Sequence, residues 1–172
     1  MRSVRIVTAA CALLLFSVAS AAAQQTIFVV RHAERADAGA GAAGMVAPAT
    51  DPPLSAAGRE RAMRLAGMLR SADIKHIFTT EFRRTQETAG PLAEQLKLTP
   101  VILPSKDPAS LVEQVRQLKG NALIVGHSNT IPDLLKRLGI KDAVTIPDAE
   151  YDNLFMVVRP ATGEPALVRL RF

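Results

Sequence analysis

Three short polar segments carry the residue types that could bind a phosphate group and react with it. They are Arg31-His32-Ala33-Glu34, Glu81-Phe82-Arg83-Arg84 and Gly126-His127-Ser128-Asn129. Arginine presents a planar fork of N–H donors that matches paired phosphate oxygens. Histidine can donate a further hydrogen bond, and its neutral ring is a nucleophile near pH 7. If the three segments meet, they form an anion site that contains two histidines.

Each polar segment directly follows a short apolar run that is typical of a buried strand. These runs are residues 26–30, 74–80 and 122–125, and residues 101–103 form a further short strand of the same kind. In an open parallel sheet, ligands bind beyond the carboxyl ends of the strands. We therefore expect the three polar segments to converge at one edge of a sheet.

Two helices are predicted before the third strand. Ser55 can cap the first, whose apolar residues have the spacing of one helical face: Ala62, Leu65, Ala66 and Leu69. The second covers residues 82–96, and we expect Gly90-Pro91 to kink or split it, since proline removes a helical hydrogen bond.

Two more helices and a hairpin follow. Ser110 and Glu113 have the spacing of a capping box at the start of the third helix. The fourth helix ends at Gly139, after an apolar face made of Ile131, Leu134, Leu135 and Leu138. Residues 154–158 and 166–170 flank a glycine-containing turn and predict an antiparallel hairpin.

Strands that alternate with helices predict an α/β fold. We expect a three-layer sandwich whose central sheet is mostly parallel and is flanked by helices, with an antiparallel hairpin at the C-terminal edge. The 172 residues fit one such domain.

Residues 1–23 have the pattern of a signal peptide. Arg2 and Arg5 precede a mainly apolar run at 6–18, and small residues follow at 19–23. The run is shorter than the roughly 20 residues of a membrane-spanning helix, so we expect cleavage and no stable membrane insertion. Residues 24–172 would then form a periplasmic or secreted domain. Cys11 is the only cysteine, so that domain would contain no thiol or disulfide.

The composition argues against two other kinds of ligand. The formal net charge is +5 for the full chain and +3 without Arg2 and Arg5, a mild excess that favours small anions. No dense basic run with interleaved aromatic residues predicts a nucleic-acid surface. The three histidines lack the spacing of metal ligands, so we predict neither a metal nor a cofactor. His76 lies inside a predicted strand and is interpreted as structural or exposed.

The polar segments together resemble the histidine phosphatase superfamily, which includes phosphoglycerate mutases, phosphohistidine phosphatases and acid phosphatases. Arg31-His32-Ala33-Glu34 is similar to the Arg-His-Gly-Glu signature, with Ala33 in place of glycine. Leu54-Ser55-Ala56-Ala57-Gly58 resembles the Leu-Ser/Thr-x-x-Gly segment, and Gly126-His127-Ser128 resembles the segment of the second histidine.

A fourth match lies at residues 80–89, which are similar to the Ser-x-x-x-Arg-x-x-Gln-Thr-Ala pattern. This alignment selects Arg84 over Arg83 as the phosphate-binding arginine and places Glu87 where glutamine is usual. The resemblance extends from Thr26 to about Gly139. Each match alone has low specificity, but four in order are a strong signal.

The resemblance implies a mechanism and a substrate class. His32 would attack phosphorus to form a phosphohistidine that water hydrolyses, while Arg31, Arg84 and His127 hold the phosphoryl oxygens. No metal is implied. The substrates would be phosphomonoesters or phosphoramidates, on a phosphorylated small molecule or on a phosphorylated protein or glycan.

The general acid stays open at this point. Asp107, in the loop after the third strand, is the positional candidate for a catalytic acid, and Glu34 and Glu81 compete with it. One branch of the family has an acid directly after the second histidine, where this chain has Ser128. Members that act on phosphohistidine need no strong acid, because protonated imidazole is a good leaving group.

Two alternative functions fit the same residues. A phosphoglycerate mutase-like phosphotransferase would move phosphate within its substrate, although the chain lacks a recognisable mutase acid segment. A non-catalytic module would bind phosphate-bearing ligands without turning them over. The sequence predicts no oligomeric state.

Overall fold

The fold was derived from a computed structural model that describes residues 24–37 and 51–172. The predicted signal peptide at 1–23 lies outside the described residues. So does most of the glycine- and alanine-rich segment at 36–50, of which only Ala36 and Asp37 are described.

Strands and helices alternate along most of the described chain. They are β1 (Gln25–Arg31), α1 (Ala56–Leu69), β2 (Ile74–Thr80), α2 (Arg83–Leu96), β3 (Val101–Leu103), α3 (Pro108–Gln117), β4 (Asn121–Gly126), α4 (Ile131–Arg137), β5 (Asn153–Arg159) and β6 (Ala166–Arg171). The predicted bounds of the second and third strands agree with those of β2 and β3.

The strands form one mixed sheet in the order β3-β2-β4-β1-β5-β6. Neighbours among β3, β2, β4 and β1 pair in parallel, whereas β5 is antiparallel to both β1 and β6. The predicted α/β class, the mostly parallel sheet and the C-terminal hairpin are confirmed. In the register of β1 and β4, Arg31 lies opposite Gly126, so the chain leaves both strands at the same edge.

Alternate residues of the central strands face two separate apolar clusters. In β1, Ile27 and Val29 join the cluster that includes residues of α3 and α4, whereas Phe28 and Val30 join the cluster that includes residues of α1 and α2. Burial of apolar side chains on both faces of the sheet stabilises a three-layer arrangement. Helices packed on both faces thus fix the position of the sheet, and with it the edge that carries the polar segments.

The second helix is unbroken, and the predicted split at Gly90-Pro91 is wrong. Pro91 lies inside α2, where Leu92 and Ala93 after it are buried like Ala89 before it. Proline removes only one backbone donor. Burial of the apolar face on either side of Pro91 compensates for that loss.

The third helix begins earlier than predicted. Pro108 occupies the first turn of α3, and the Asp107 carboxylate caps the helix by accepting a hydrogen bond from the Ser110 backbone N–H at 3.0 Å. Ser110 is therefore inside the helix, and the predicted capping box with Glu113 is wrong. Proline is favoured in a first turn because its missing N–H would have no helical partner.

Candidate active site

A cavity of about 420 Å³ lies at the sheet edge where β1 and β4 end. It is lined by all four side chains predicted to bind or attack phosphate: Arg31, His32, Arg84 and His127. The cavity is also lined by Tyr151, which was not among the predicted site residues. The topology brings together residues that are up to about 120 positions apart.

His32 is buried and has one nitrogen free to react. Its Nδ1 lies 2.8 Å from the carbonyl oxygen of Ala33. A carbonyl can only accept, so Nδ1 carries the hydrogen and Nε2 keeps the lone pair in the neutral ring. Burial is the main cause that lowers the pKa of His32 to about 3. The positive charges of His127, Arg84 and Arg31 act in the same direction, and the bond to Ala33 opposes them. The ring is therefore neutral, and nucleophilic, at pH 7.

His127 is the second imidazole of the cavity, with its ring centroid 5.3 Å from that of His32. Its Nε2 lies 3.0 Å from Thr80 Oγ1, and its Nδ1 lies 3.5 Å from Nη2 of Arg84. Burial, followed by the charge of Arg84, lowers the pKa of His127 to about 4.

Arg31 is held from one side by the loop before β5. Its Nη1 donates to the carbonyl oxygens of Pro147, Asp148 and Glu150 at 3.3, 2.9 and 3.1 Å. The guanidinium carbon lies 4.1 Å from the centroid of the Tyr151 ring, a cation–π contact. Nε is buried and has no hydrogen-bond partner among the described residues.

Arg84, in the first turn of α2, likewise has an aromatic ring beside its guanidinium group and a buried Nε. Its guanidinium lies 4.2 Å from the centroid of the Phe82 ring and 3.5 Å from the carboxylate of Asp51. Its Nε is also buried without a partner in the part of the chain that the structure describes. A buried N–H donor without a hydrogen-bond partner destabilises the folded protein. The unpaired Nε–H groups of Arg31 and Arg84 belong to two positively charged side chains beside one cavity, and this arrangement favours an anion between them.

Arg83, the neighbouring arginine, is exposed and forms an ion pair with Glu87 on its own helix. It does not line the cavity that contains His32. This position agrees with the selection of Arg84 over Arg83 as the phosphate-binding arginine.

The three acid candidates lie away from His32. The Glu34 carboxylate pairs with Arg61 at 2.6 Å, Glu81 accepts hydrogen bonds from Ser105, and Asp107 caps α3. None of the three lines the cavity of His32. Burial would raise the pKa of Glu34 and of Glu81, but hydrogen bonds outweigh it and both pKa values lie below the ordinary range.

His76 lies far from this chemistry. Its Nε2 is 3.0 Å from the carbonyl oxygen of Lys119, at the opposite end of β4 from His127. This contact agrees with the structural interpretation. Within residues 24–37 and 51–172, no group of three or more His, Cys, Asp or Glu side chains is arranged to hold a metal ion.

Sequence reasoning missed Tyr151, whose ring centroid lies 6.2 Å from that of His32. The available signal was the predicted hairpin. Once its first strand pairs antiparallel with β1, with Leu154 opposite Val30, the residues before β5 must lie beyond the end of β1. The sequence did not show which strand the hairpin would join.

Comparison with known proteins supports this picture. Residues 27–105 match the model of the histidine phosphatase superfamily (branch 1). The protein histidine phosphatase SixA, solved in complex with tungstate, superposes with a TM-score of 0.64 at 17% identity, over 85% of this chain and 96% of that one. The mycobacterial glucosyl-3-phosphoglycerate phosphatase superposes with a TM-score of 0.61 at 13% identity, over 86% and 98% of the two chains.

A phosphoglycerate mutase from Plasmodium falciparum also superposes, with a TM-score of 0.55 at 16% identity, over 87% of this chain and 90% of that one. This chain has a histidine phosphatase fold. The predicted resemblance to that superfamily is thereby confirmed. A search of curated proteins found no match.

The matched region of the histidine phosphatase fold contains Arg31, His32 and Arg84, but His127 lies beyond residue 105. The parallel pairing of β1 with β4 brings His127 to the other three.

The departures from the superfamily pattern are accommodated locally. The Ala33 side chain packs with Leu54 and Ala62, and its backbone N–H donates to Thr88 Oγ1 at 2.9 Å. Glu87, at the usual glutamine position, accepts a hydrogen bond from the backbone N–H of Leu54 at 2.7 Å.

Gly58 lies where this chain has no room for a side chain. A Cβ at this position would lie 2.3 Å from the carbonyl oxygen of Glu34. The same carbonyl accepts the backbone N–H of Ser55, the residue that caps α1, at 2.9 Å. The start of α1 therefore packs directly against the loop that carries His32, and only glycine permits this approach.

Proposed function

We propose that the protein is a phosphatase that transfers a phosphoryl group from its substrate to Nε2 of His32. The observation that carries the proposal is the shared cavity, which is lined by a neutral imidazole with a free Nε2, a second histidine and two arginines whose Nε atoms are buried. The structural relatives include phosphatases, which supports the same reaction class.

The reaction proceeds in two displacements. The Nε2 lone pair of His32 attacks phosphorus, the bond to the leaving group breaks, and the leaving group keeps the bonding electrons and takes up a proton. Water then attacks the phosphohistidine, which releases inorganic phosphate and restores His32. Arg31, Arg84 and His127 oppose the negative charge that spreads over the phosphoryl oxygens in each transition state.

The surroundings favour substrates with good leaving groups. Two carboxyl groups of the described residues, those of Asp37 and Asp148, line the cavity. Asp37 forms an ion pair with Arg35 at 2.6 Å, which keeps the pKa of Asp37 below its ordinary value. Glu34 and Glu81 also have lowered pKa values. Carboxyl groups of this kind are poor proton donors at pH 7. We therefore propose phosphoramidates and activated phosphomonoesters as the substrate class.

Rapid quenching tests the reaction directly. Protein mixed with ³²P-labelled aryl phosphate should retain an acid-labile, base-stable label on His32, and the label should disappear as phosphate is released. Phosphate binding without any covalent label would support a non-catalytic binding module instead. Isomerised product from a phosphoglycerate would support a mutase.

The leaving-group preference has its own test. Among aryl phosphates of increasing phenol pKa, we expect kcat/KM to fall steeply, since ionised carboxylates of the described residues would protonate the departing oxygen poorly at pH 7. A rate that is independent of phenol pKa would contradict this substrate class.

We also propose that the protein is exported through the signal pattern at residues 1–23. That pattern supports the proposal, and none of the described helices is long and apolar enough to cross a membrane. Cell fractionation with N-terminal sequencing of the full chain provides the test. We expect a periplasmic or secreted form that begins near Gln24, and an intact Met1 in the cytoplasmic fraction would contradict export.

A further inference from the structure

Thr85 lies fully buried in the first turn of α2. Its Oγ1 is 2.7 Å from the carbonyl oxygen of Phe82 and 3.2 Å from the carbonyl oxygen of Thr80. A carbonyl oxygen can only accept, so the single hydroxyl proton of Thr85 is used on this side. Toward every other neighbour, Thr85 Oγ1 is an acceptor.

Thr80, at the end of β2, makes two hydrogen bonds to Thr85 Oγ1. Its backbone N–H and its hydroxyl oxygen lie 3.1 and 3.0 Å from Thr85 Oγ1. Because Thr85 accepts, the hydroxyl of Thr80 donates its only proton to Thr85. Thr80 Oγ1 then faces Nε2 of His127 as an acceptor at 3.0 Å, so Nε2 carries the hydrogen.

The other side of the His127 ring gives the same assignment independently. Nη2 of Arg84 lies 3.5 Å from Nδ1 of His127. A guanidinium group can only donate, so Nδ1 is the unprotonated nitrogen. Both sides therefore select the tautomer with hydrogen on Nε2 and a lone pair on Nδ1, beside Arg84.

We propose that Thr85, acting through Thr80, is a positioning residue that holds His127 in this tautomer, so that an oxyanion enters the cavity together with one proton on Nδ1. The inference rests on the proposed function, because it takes the natural oxyanion to be a phosphoryl group. An unprotonated Nδ1 would repel an anionic oxygen, whereas a protonated Nδ1 donates a charge-assisted hydrogen bond to it.

The proton balance is simple. A dianion binds with one proton from solvent, and a monoanion transfers its own proton to Nδ1. In both cases imidazole becomes imidazolium, and no bond to the central atom of the anion changes.

The charges around His127 agree with a neutral ring before the anion arrives. Burial and the positive charges of Arg84 and Arg31 lower the pKa of His127, and only Glu81 opposes them. The charged or titratable side chains that face the ring or line the two cavities beside it are, among the described residues, Arg31, His32, Arg35, Asp37, Glu81, Arg84, Lys106, Asp133, Asp148 and Tyr151. A bound dianion adds negative charge and raises the pKa of the ring.

Inorganic sulfate is a suitable probe, because it stays a dianion from pH 5 to 8 and cannot supply a proton. Protein labelled with ¹⁵N-histidine would be titrated with sulfate at constant ionic strength, and the imidazole nitrogen signals would report affinity and protonation together. We expect Nδ1 of His127 to gain a proton on binding. Sulfate affinity should fall by about tenfold per pH unit above pH 5, up to the pKa of the bound ring.

Two variants separate positioning from packing. Thr85→Val removes the hydroxyl and keeps the shape, which frees the Thr80 hydroxyl to donate to Nε2. We expect the free variant to populate the tautomer with hydrogen on Nδ1, and its sulfate affinity to depend less on pH. Thr85→Ser keeps the hydroxyl and should restore both properties of the unaltered protein.

The inference is overturned if Nδ1 stays unprotonated in the sulfate complex, if sulfate does not perturb His127, or if Thr85→Val leaves the free tautomer unchanged. The titration of the unaltered protein decides the first two points even if Thr85→Val does not fold. Hydrolysis of 4-nitrophenyl phosphate through His32 is measured separately. If hydrolysis persists while Nδ1 of His127 gains no proton with sulfate, only the inference fails. If neither hydrolysis nor sulfate-linked protonation is observed, the proposed function is contradicted as well.

Discussion

His32 and His127 lie in one cavity, but they are held by different kinds of partner. The orientation of His32 depends on the carbonyl oxygen of Ala33, the next residue in the chain. The orientation of His127 depends on Thr80 and Arg84, which are 47 and 43 residues away. The first is a local backbone contact, and the second is a side-chain network that exists only in the folded protein.

The two contacts also fix opposite tautomers. His32 keeps its lone pair on Nε2, as a nucleophile requires, whereas His127 keeps its lone pair on Nδ1 beside Arg84. Two identical side chains in one cavity can thus have distinct chemical roles that are set by their hydrogen-bond partners.

The largest effect should come from removing the nucleophile. His32→Ala should reduce phosphate release from 4-nitrophenyl phosphate by about 10⁴-fold or more, because no other nitrogen replaces Nε2. His76→Ala is the matched control. It removes a histidine that does not line the cavity, so the rate of phosphate release should stay within about twofold of the original. Hydrolysis by His32→Ala at the original rate would remove the distinction between the two histidines of the cavity.

Arg84 links the anion to His127, so its loss should affect catalysis next most. We expect Arg84→Gln to lower kcat/KM by about 10² to 10³-fold, the range found when a single oxyanion donor is lost. Arg83→Gln, at the adjacent position, removes only a rim ion pair and should change kcat/KM by less than about threefold. Equal losses in the two variants would mean that the alignment selected the wrong arginine.

The two histidines should separate in the pH dependence of stability. The pKa of each lies below its unfolded value of 6.5, at about 3 for His32 and about 4 for His127. The unfolded state therefore binds more protons below pH 6.5, and each histidine lowers the free energy of unfolding by about 1.4 kcal/mol per pH unit as the pH falls toward its folded pKa.

Denaturant unfolding of the protein, of His32→Gln and of His127→Gln between pH 4 and 7 provides the measurement. Each variant should lose less stability on acidification than the unaltered protein. The His127 contribution should level off near pH 4, whereas the His32 contribution should continue below it. Parallel stability curves for all three proteins would contradict the buried neutral state of these rings.

The close packing of α1 against the Glu34 backbone can be disturbed without changing a side chain that lines the cavity. Gly58→Ala places a methyl group against the Glu34 carbonyl and should lower the free energy of unfolding by about 1–3 kcal/mol. Gly67→Ala, on the same helix, meets no atom within 4 Å and should raise it by up to about 1 kcal/mol. Chemical denaturation measures both, and similar effects would mean that the close packing of α1 is unimportant.

Tyr151 should give the smallest catalytic effect. Tyr151→Leu removes the aromatic face beside Arg31 and should lower kcat/KM by about 2- to 30-fold, the range of a cation–π contact of about 0.5–2 kcal/mol. Tyr151→Phe retains the ring and should stay near the original value. A large loss in Tyr151→Phe would instead assign a role to the phenolic hydroxyl.

Local patterns predicted most elements correctly. The spacing of Ala62, Leu65, Ala66 and Leu69 identified the buried face of α1, and Ser55 caps that helix as expected. The errors occurred at two helices. In one a neighbouring residue was the better helix cap, and in the other tertiary packing outweighed the effect of a proline. Asp107 displaced Ser110 as the cap of α3, and apolar burial on both sides of Pro91 kept α2 continuous.

The sequence by itself determined the alternation of strands and helices, because periodicity is a property of neighbouring residues. Its resemblance to the superfamily motifs selected the four side chains proposed for phosphate chemistry. Only the tertiary structure decided that the hairpin pairs with β1 and brings Tyr151 to Arg31, and that Thr80 and Thr85 orient His127. The residues that these contacts bring to Arg31 and His127 lie on different strands, helices and loops. Their geometry follows from sheet order and register, which local patterns do not specify.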